Sequence, residues 1–234
     1  MAGFNTRFHD AGFDLPKYLL PYGRSTVIAE ILANLSEVHS PSEIICLANI
    51  RDSYFSGKLT AEVEQFGAFV HYIRDTKGQA HTAAIGAELT TQPGPLLIHN
   101  ADTVLLNRNL AEIEAALRVN TAYVDVFDGQ NPAYCFLDIG ADNRVLSIAE
   151  KKNITKFASS GLYGFSSAER YLELYRESLM TFQGPEIFIS DVLATTIKCG
   201  TVVANSLNPA HNTVVIGSPQ EYLTALESHN DHST

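Results

Sequence analysis

Three short apolar runs, residues 43–48 (EIICLA), 68–73 (AFVHYI) and 95–100 (PLLIHN), recur with helix-period segments between them. That alternation is the tightest constraint on what the chain can become. Runs of this length, apolar on both faces, suit strands buried on both sides of a parallel sheet, and parallel neighbours need a crossover, usually a helix. The intervening segments supply it: 26–38 (TVIAEILANLSEV) carries apolar residues at helical spacing, and 60–65 and 79–89 read as helices. This is α/β layering.

Beyond a helix at 111–118 the pattern changes, because 122–127, 133–139 and 144–148 read as strands joined by Asp, Gly and Asn turns. Antiparallel pairing is expected there. Residues 160–165 form a further strand, 168–177 and 185–198 helices, 202–205 and 213–216 short strands, and 220–227 a closing helix. The expected fold is a mixed, mostly parallel sheet with helices on both faces and a small antiparallel element. No internal repeat or linker breaks the chain, so 1–234 reads as a single domain.

Neither a membrane-length apolar run nor a secretory signal is evident, and the expected location is the cytoplasm. Cys46, Cys135 and Cys199 lie far apart without metal spacing and are expected to be reduced, buried thiols. The formal net charge of -10 argues against partners such as nucleic acid or an anionic membrane. An anionic ligand must therefore be held by a local group of cations.

The opening stretch, MAGFNTRFHDAGFDLPKYLLPYG, offers such a group. Gly3 and the αL-tolerant Asn5 let successive N–H groups face one anion, with Thr6, Arg7 and Lys17 close behind; the plainer alternative is a surface turn. Asp102, in NADT at the end of an apolar strand, stands where open α/β sheets place ligands, and suits either a divalent ion or a helix N-cap. Glu150 and Lys151 end a strand and read equally as solvated charges. Gly161, in FASSGLYGF, permits close ligand approach or marks a bulge. Glu186 and Asp191, in PEIFISDV, stand at a helix start, where acids already meet the macrodipole favourably.

In their order, MAG-x-x-TRF, PK-x-LLP-x-G, GQAHT, HNADT, an EK pair, SSGLYGF, PEIFISD and IGSPQEY resemble the sugar-phosphate nucleotidyltransferases, particularly those of capsule and surface-polysaccharide clusters. The resemblance covers nearly the whole chain. It implies a Rossmann-like, three-layer α/β/α fold and Mg²⁺-dependent attack of a sugar 1-phosphate on the α-phosphorus of a nucleoside triphosphate, with loss of pyrophosphate. It also implies roles. Ala2, Gly3, Asn5 and Thr6 would cradle the triphosphate, Arg7 would stabilise the departing pyrophosphate, and Lys17 would contact phosphates during transfer. Gln79 would read the base and Asp102 would bind Mg²⁺. Lys151 would grip the phosphate of the second substrate beside Glu150, with Gly161, Glu186 and Asp191 about its sugar pocket. A homodimer is in keeping with such relatives.

Three departures matter. Asn5 stands where many relatives have glycine. Val215 replaces a second metal-binding Asp, so that a single acid with the phosphates serves, or a substitute such as Asp125 or Asn212 does, or activity is low. Relatives also place a short apolar strand just before the MAG motif, whence the expectation that the natural product begins upstream of Met1. The competing functions are cytidylyl transfer to a non-sugar phosphate such as phosphocholine, and a non-catalytic ligand-binding homologue.

Overall fold

A computed structural model of the chain describes residues 5–38 and 43–231. In chain order its elements are α1 (Thr6–Asp10), β1 (Pro21–Tyr22), β2 (Ser25–Thr26), α2 (Val27–Val38), β3 (Ile45–Asn49), α3 (Ser56–Glu64), β4 (Phe69–Ile73), α4 (Gln79–Leu89), β5 (Leu96–His99) and β6 (Thr103–Leu105). There follow α5 (Leu110–Leu117), β7 (Ala122–Asp128), β8 (Cys135–Ile139), β9 (Val145–Glu150), β10 (Phe157–Phe165), α6 (Ala168–Thr181), α7 (Ile189–Cys199), β11 (Val202–Ala204), β12 (Thr213–Val215) and α8 (Pro219–Asp231). They fall into two compact units: residues 1–75, 100–108 and 213–234, and residues 76–99 and 109–212.

In the first unit, α2 does the organising. Its residues Ile28 and Leu32, one turn apart, join Tyr18, Leu19, Cys46, Ala48, Leu59 and Val63 in one core, built on the parallel pair β3–β4 and α3. Val27 and Ile31, the neighbouring i, i+4 pair, join Phe8, Leu20, Tyr22, Val104, Ile216 and Tyr222 in another. One helix thus serves two cores because adjacent i, i+4 rows face different directions. The second core rests on β6 and β12, which pair antiparallel with Thr103 opposite Val215. At three residues, β6 is too short to show a strand period, and the sequence reading misses it.

The second unit carries a six-stranded sheet in the order β11-β7-β10-β8-β9, with β5 also on β10. β5, β7 and β11 run the same way and β10 is laid in reverse. The antiparallel part, β8 to β10, is larger than the small element expected. Its cause is the connection: β10 is reached through the β8–β9 hairpin, with no crossover helix to return the chain to the parallel direction. Tyr163 and Phe165 of β10 enter the core that α4, α6 and α7 cover, while Gly164, on the opposite face, meets Leu117 of α5. These are the three layers the alternation predicts.

Two of the three cysteines are buried as expected; Cys199 is exposed, because it ends α7 on the solvent side of the last turn. Burial pushes the Cys46 thiol from 9.0 up to about 11, and burial with the Glu150 carboxylate beside it raises Cys135 further. A disulfide-exchange reagent at pH 8 should therefore titrate one thiol in native protein and all three after unfolding. Two fast thiols in the native state would contradict the burial of β3 or β8. Among the described residues, no helix is long and apolar enough to cross a membrane.

Candidate active site

In the first unit the opening motifs are held together by Asn5. It adopts the left-handed conformation, φ 56° and ψ 17°, at the N-cap of α1, as asparagine tolerates. Its Oδ1 accepts the Lys17 backbone N–H at 3.3 Å, and its Nδ2 donates to the Leu15 carbonyl at 3.5 Å. The loop is thereby tied to the PK motif. On α1, Thr6 and Arg7 face solvent while Phe8 is buried against Phe13 and Tyr222. Ala2 and Gly3 lie outside the described residues.

Lys17 places its Nζ 2.5 Å from Asp102 Oδ2, with both side chains about a quarter exposed. Such a pair contributes only about 0–1 kcal/mol net, so a ligand can open it at small cost. Asp102 does not cap a helix: it lies in the turn that leads into β6, and its carbonyl accepts the Ile216 N–H at 2.7 Å. Gly217 follows. A Cβ there would lie 3.9 Å from Asp102 Oδ2, 3.7 Å from Val215 Cγ1 and 3.2 Å from Glu221 Oε2.

The substitutes suggested for the missing acid are placed otherwise. Asp125 is 1% exposed in β7 of the second unit, where the Asn208 amide donates to it at 3.2 Å, and a sealed sheet position has no room for a hydrated ion. Asn212 ends a turn just before β12. Among the described residues, no group of three or more His, Cys, Asp or Glu side chains is arranged to hold an ion. A divalent cation at Asp102 would depend on few protein oxygens, as Mg²⁺ sites often do. Lys17 already occupies that acid as a stand-in cation, so the donor set suits positive charge.

In the second unit the candidates gather about the start of α7. The helix expected from residue 185 begins at Ile189, because Ile187 is bonded to the backbone at the start of the GQAHT segment: Ile187 N–H donates to Lys77 at 2.8 Å, and Ile187 accepts from Ala80 at 3.1 Å. Glu186 is thus exposed in the bend before α7 instead of opening a helix. Asp191 takes the Phe188 N–H at 2.8 Å, a capping bond. Gln79 Oε1 lies 3.4 Å from the Ile189 N–H. Ser190 donates to Glu150 at 2.8 Å, and Lys151, left-handed at φ 53°, stands 4.8 Å over the Phe188 ring. Gly161, at φ 90°, lies in the bulge where the β10–β7 register shifts between Ser159 and Tyr163.

The sequence reading passes over two residues here. Gly78, at φ 120°, has so little room that a Cβ would come 2.4 Å from the Ile187 carbonyl oxygen and 2.8 Å from its nitrogen. Gly78→Ala is expected to cost at least about 1–3 kcal/mol, since the strained φ alone costs that much, and to raise KM for the second substrate. A thermal scan with steady-state kinetics checks both; an unchanged midpoint would mean the two motifs are not locked through Gly78. Glu221, in the S-x-x-E sequence after Gly217, is the other, and the capping-box spacing was its signal.

Residues 1–231 match the family profile described as Nucleotidyl transferase. A search of curated protein sequences returns no match. Among solved structures, the chain is similar to the nucleoside-diphosphate-sugar pyrophosphorylase from Vibrio cholerae RC9, at 25% identity and TM-score 0.83 over 97% of this chain and 98% of that one. It is similar in fold to a UDP-glucose pyrophosphorylase complexed with UDP-glucose, at 16% identity and TM-score 0.76 over 99% and 96%. A third is the inositol-1-phosphate CTP transferase from T. maritima, at 12% identity and TM-score 0.71 over 98% and 94%.

Proposed function

The chain belongs to the nucleotidyl transferase family, and from that premise we propose that it joins a nucleoside triphosphate to a sugar 1-phosphate, releasing pyrophosphate and giving a nucleotide sugar for surface polysaccharide. The whole of 1–234 then acts as one nucleotidyltransferase domain, with Mg²⁺ as its ion. The observation that carries this is the Lys17–Asp102 pair: residues 85 positions apart bring a phosphate-seeking ammonium onto a metal-type carboxylate. The likeness to the V. cholerae pyrophosphorylase supports the sugar.

In this reading a phosphate oxygen of the sugar 1-phosphate forms a bond to the α-phosphorus. The bond from that phosphorus to the bridging oxygen breaks, and pyrophosphate leaves with the electron pair. Because the protein forms no bond of its own, its work is to place two polyanions and neutralise the charge they share. Asn5 and Thr6 present the loop to the triphosphate, with Ala2 and Gly3 completing it. Arg7, exposed on α1, meets the departing pyrophosphate. Lys17 leaves Asp102 for the phosphates during transfer. Mg²⁺, when bound at Asp102, adds further neutralisation on the phosphate oxygens.

The second unit supplies recognition. Gln79 reads the base. Lys151 grips the phosphate of the sugar, its ammonium steadied over Phe188, and Glu150 fixes that strand end through Ser190. Glu186 accepts hydroxyl hydrogen bonds, near Asp191 and Gly161. Pyrophosphate release, with CTP, UTP, GTP, dTTP and ATP tested in Mg²⁺ against sugar 1-phosphates and phosphocholine, decides the matter. Turnover with one sugar pair supports the proposal. Turnover with phosphocholine and CTP alone, or nucleotide binding without turnover, overturns it.

A further inference from the structure

Glu221 is held at the first turn of α8 by two opposed bonds: the Ser218 hydroxyl donates to its Oε2 at 2.8 Å, and its backbone N–H donates to the same hydroxyl oxygen at 3.3 Å. That is a capping arrangement, and it fixes where the carboxylate points. The place is unusual. It is the space over Gly217, within 4 Å of which lie Glu221 Oε2, Asp102 Oδ2 and the Val215 methyl.

Gly217 leaves a cradle that a Cβ would begin to fill, and carboxylate oxygens of two residues and an aliphatic methyl all lie within 4 Å of that point. Val215 offers no oxygen, and the wall it makes is apolar. The frame is rigid: Ile216 is tied to the Asp102 carbonyl at 2.7 Å, and Tyr222, next to Glu221, is buried and bonded to the Pro21 carbonyl at 2.8 Å. Lys17 Nζ, 2.5 Å from Asp102, shows that a cation already favours this corner.

Resting on the family reading above, we infer that Glu221 is a second acid of the divalent-cation site, acting with Asp102 across Gly217. Mg²⁺ retains several of its own waters, so a carboxylate holds it through that shell as well as by contact. Glu221 therefore does the work of a ligand-bearing residue while also capping α8. Its position four residues after Gly217 suits both tasks, since the S-x-x-E spacing turns the side chain back over the start of the helix.

The test separates the two tasks. Glu221→Gln keeps a side-chain oxygen for the cap but removes the charge, because glutamine serves in the same capping box. Mn²⁺ binding to the full chain is followed by loss of the free-ion electron paramagnetic resonance signal, with wild type, Glu221→Gln and Asp102→Asn compared and thermal midpoints measured alongside. The expected result is a dissociation constant raised about 10–100-fold in Glu221→Gln, with the midpoint little changed. Unchanged Mn²⁺ affinity in Glu221→Gln, with binding lost in Asp102→Asn, overturns the role of Glu221 and leaves the family reading intact. Unchanged affinity with a lowered midpoint makes Glu221 a cap only and also overturns it. No Mn²⁺ binding by wild type overturns both the Glu221 role and the metal at Asp102.

Discussion

Lys17→Ala is expected to lower kcat by about 10²–10³-fold, the scale found when one preorganised group is removed from developing charge. KM for the triphosphate should rise far less. Lys17 starts on Asp102, outside any phosphate, so what it adds is charge delivered as the leaving group takes up electrons. Stability should move little, because an ion pair that solvent still reaches contributes about 0–1 kcal/mol. Divalent-ion binding without nucleotide should move the other way and tighten, since the competing ammonium is gone. Pyrophosphate release, Mn²⁺ titration and a thermal scan read the three effects. A fall in kcat below about threefold, with tighter Mn²⁺ binding, would reduce Lys17 to a counter-ion of Asp102.

The opposite signs follow from one contact, and that contact was only half legible in the sequence. Lys17 and Asp102 could each be named from their motifs, and both are part-buried as a site requires. Their direct pairing could not be read, because it depends on β6, a strand of three residues that carries too little pattern, lying beside the expected β12. Longer elements were plain: α4 was expected at 79–89 and is found there, since its eleven residues sit between Gly78 and an extended Thr90. The start of α7 was misplaced for a different reason. Long-range backbone bonds, from Ile187 to Lys77 and from Ala80 to Ile187, overrode a local helical pattern.

Glu221 shows the same limit from the other side. Its capping spacing was visible, yet capping alone explains an S-x-x-E sequence, and only the nearness of Asp102 across Gly217 gives the carboxylate a second task. Conversely, Asp125 looked available as an acid in a list of residues. A position at 1% exposure within a sheet removes it. Access was legible for Cys46 and Cys135, which are buried as expected, and not for Asp125.

Phe8→Ala should cost about 3–5 kcal/mol, the range for truncating a buried aromatic, against a total stability of about 5–15 kcal/mol. α1 has only five residues, too few to hold a helix by its own bonds. What holds it is Phe8, 1% exposed, with ring centroids 5.5 Å from Phe13 and 6.3 Å from Tyr222, while Phe13 and Tyr222 stand 5.7 Å apart. Edge-on pairs of this kind contribute about 0.5–1.5 kcal/mol beyond burial. Removing the first ring leaves Asn5 and Arg7 on a loop with no buried anchor of its own, so KM for the triphosphate should rise as the urea midpoint falls. Phe8→Leu, which keeps most of the volume, should recover much of the stability and less of the affinity, because the ring geometry and not the apolar bulk sets the direction of α1. A loss under about 1 kcal/mol in Phe8→Ala, with KM unchanged, would mean that the Asn5–Lys17 bond alone positions the loop.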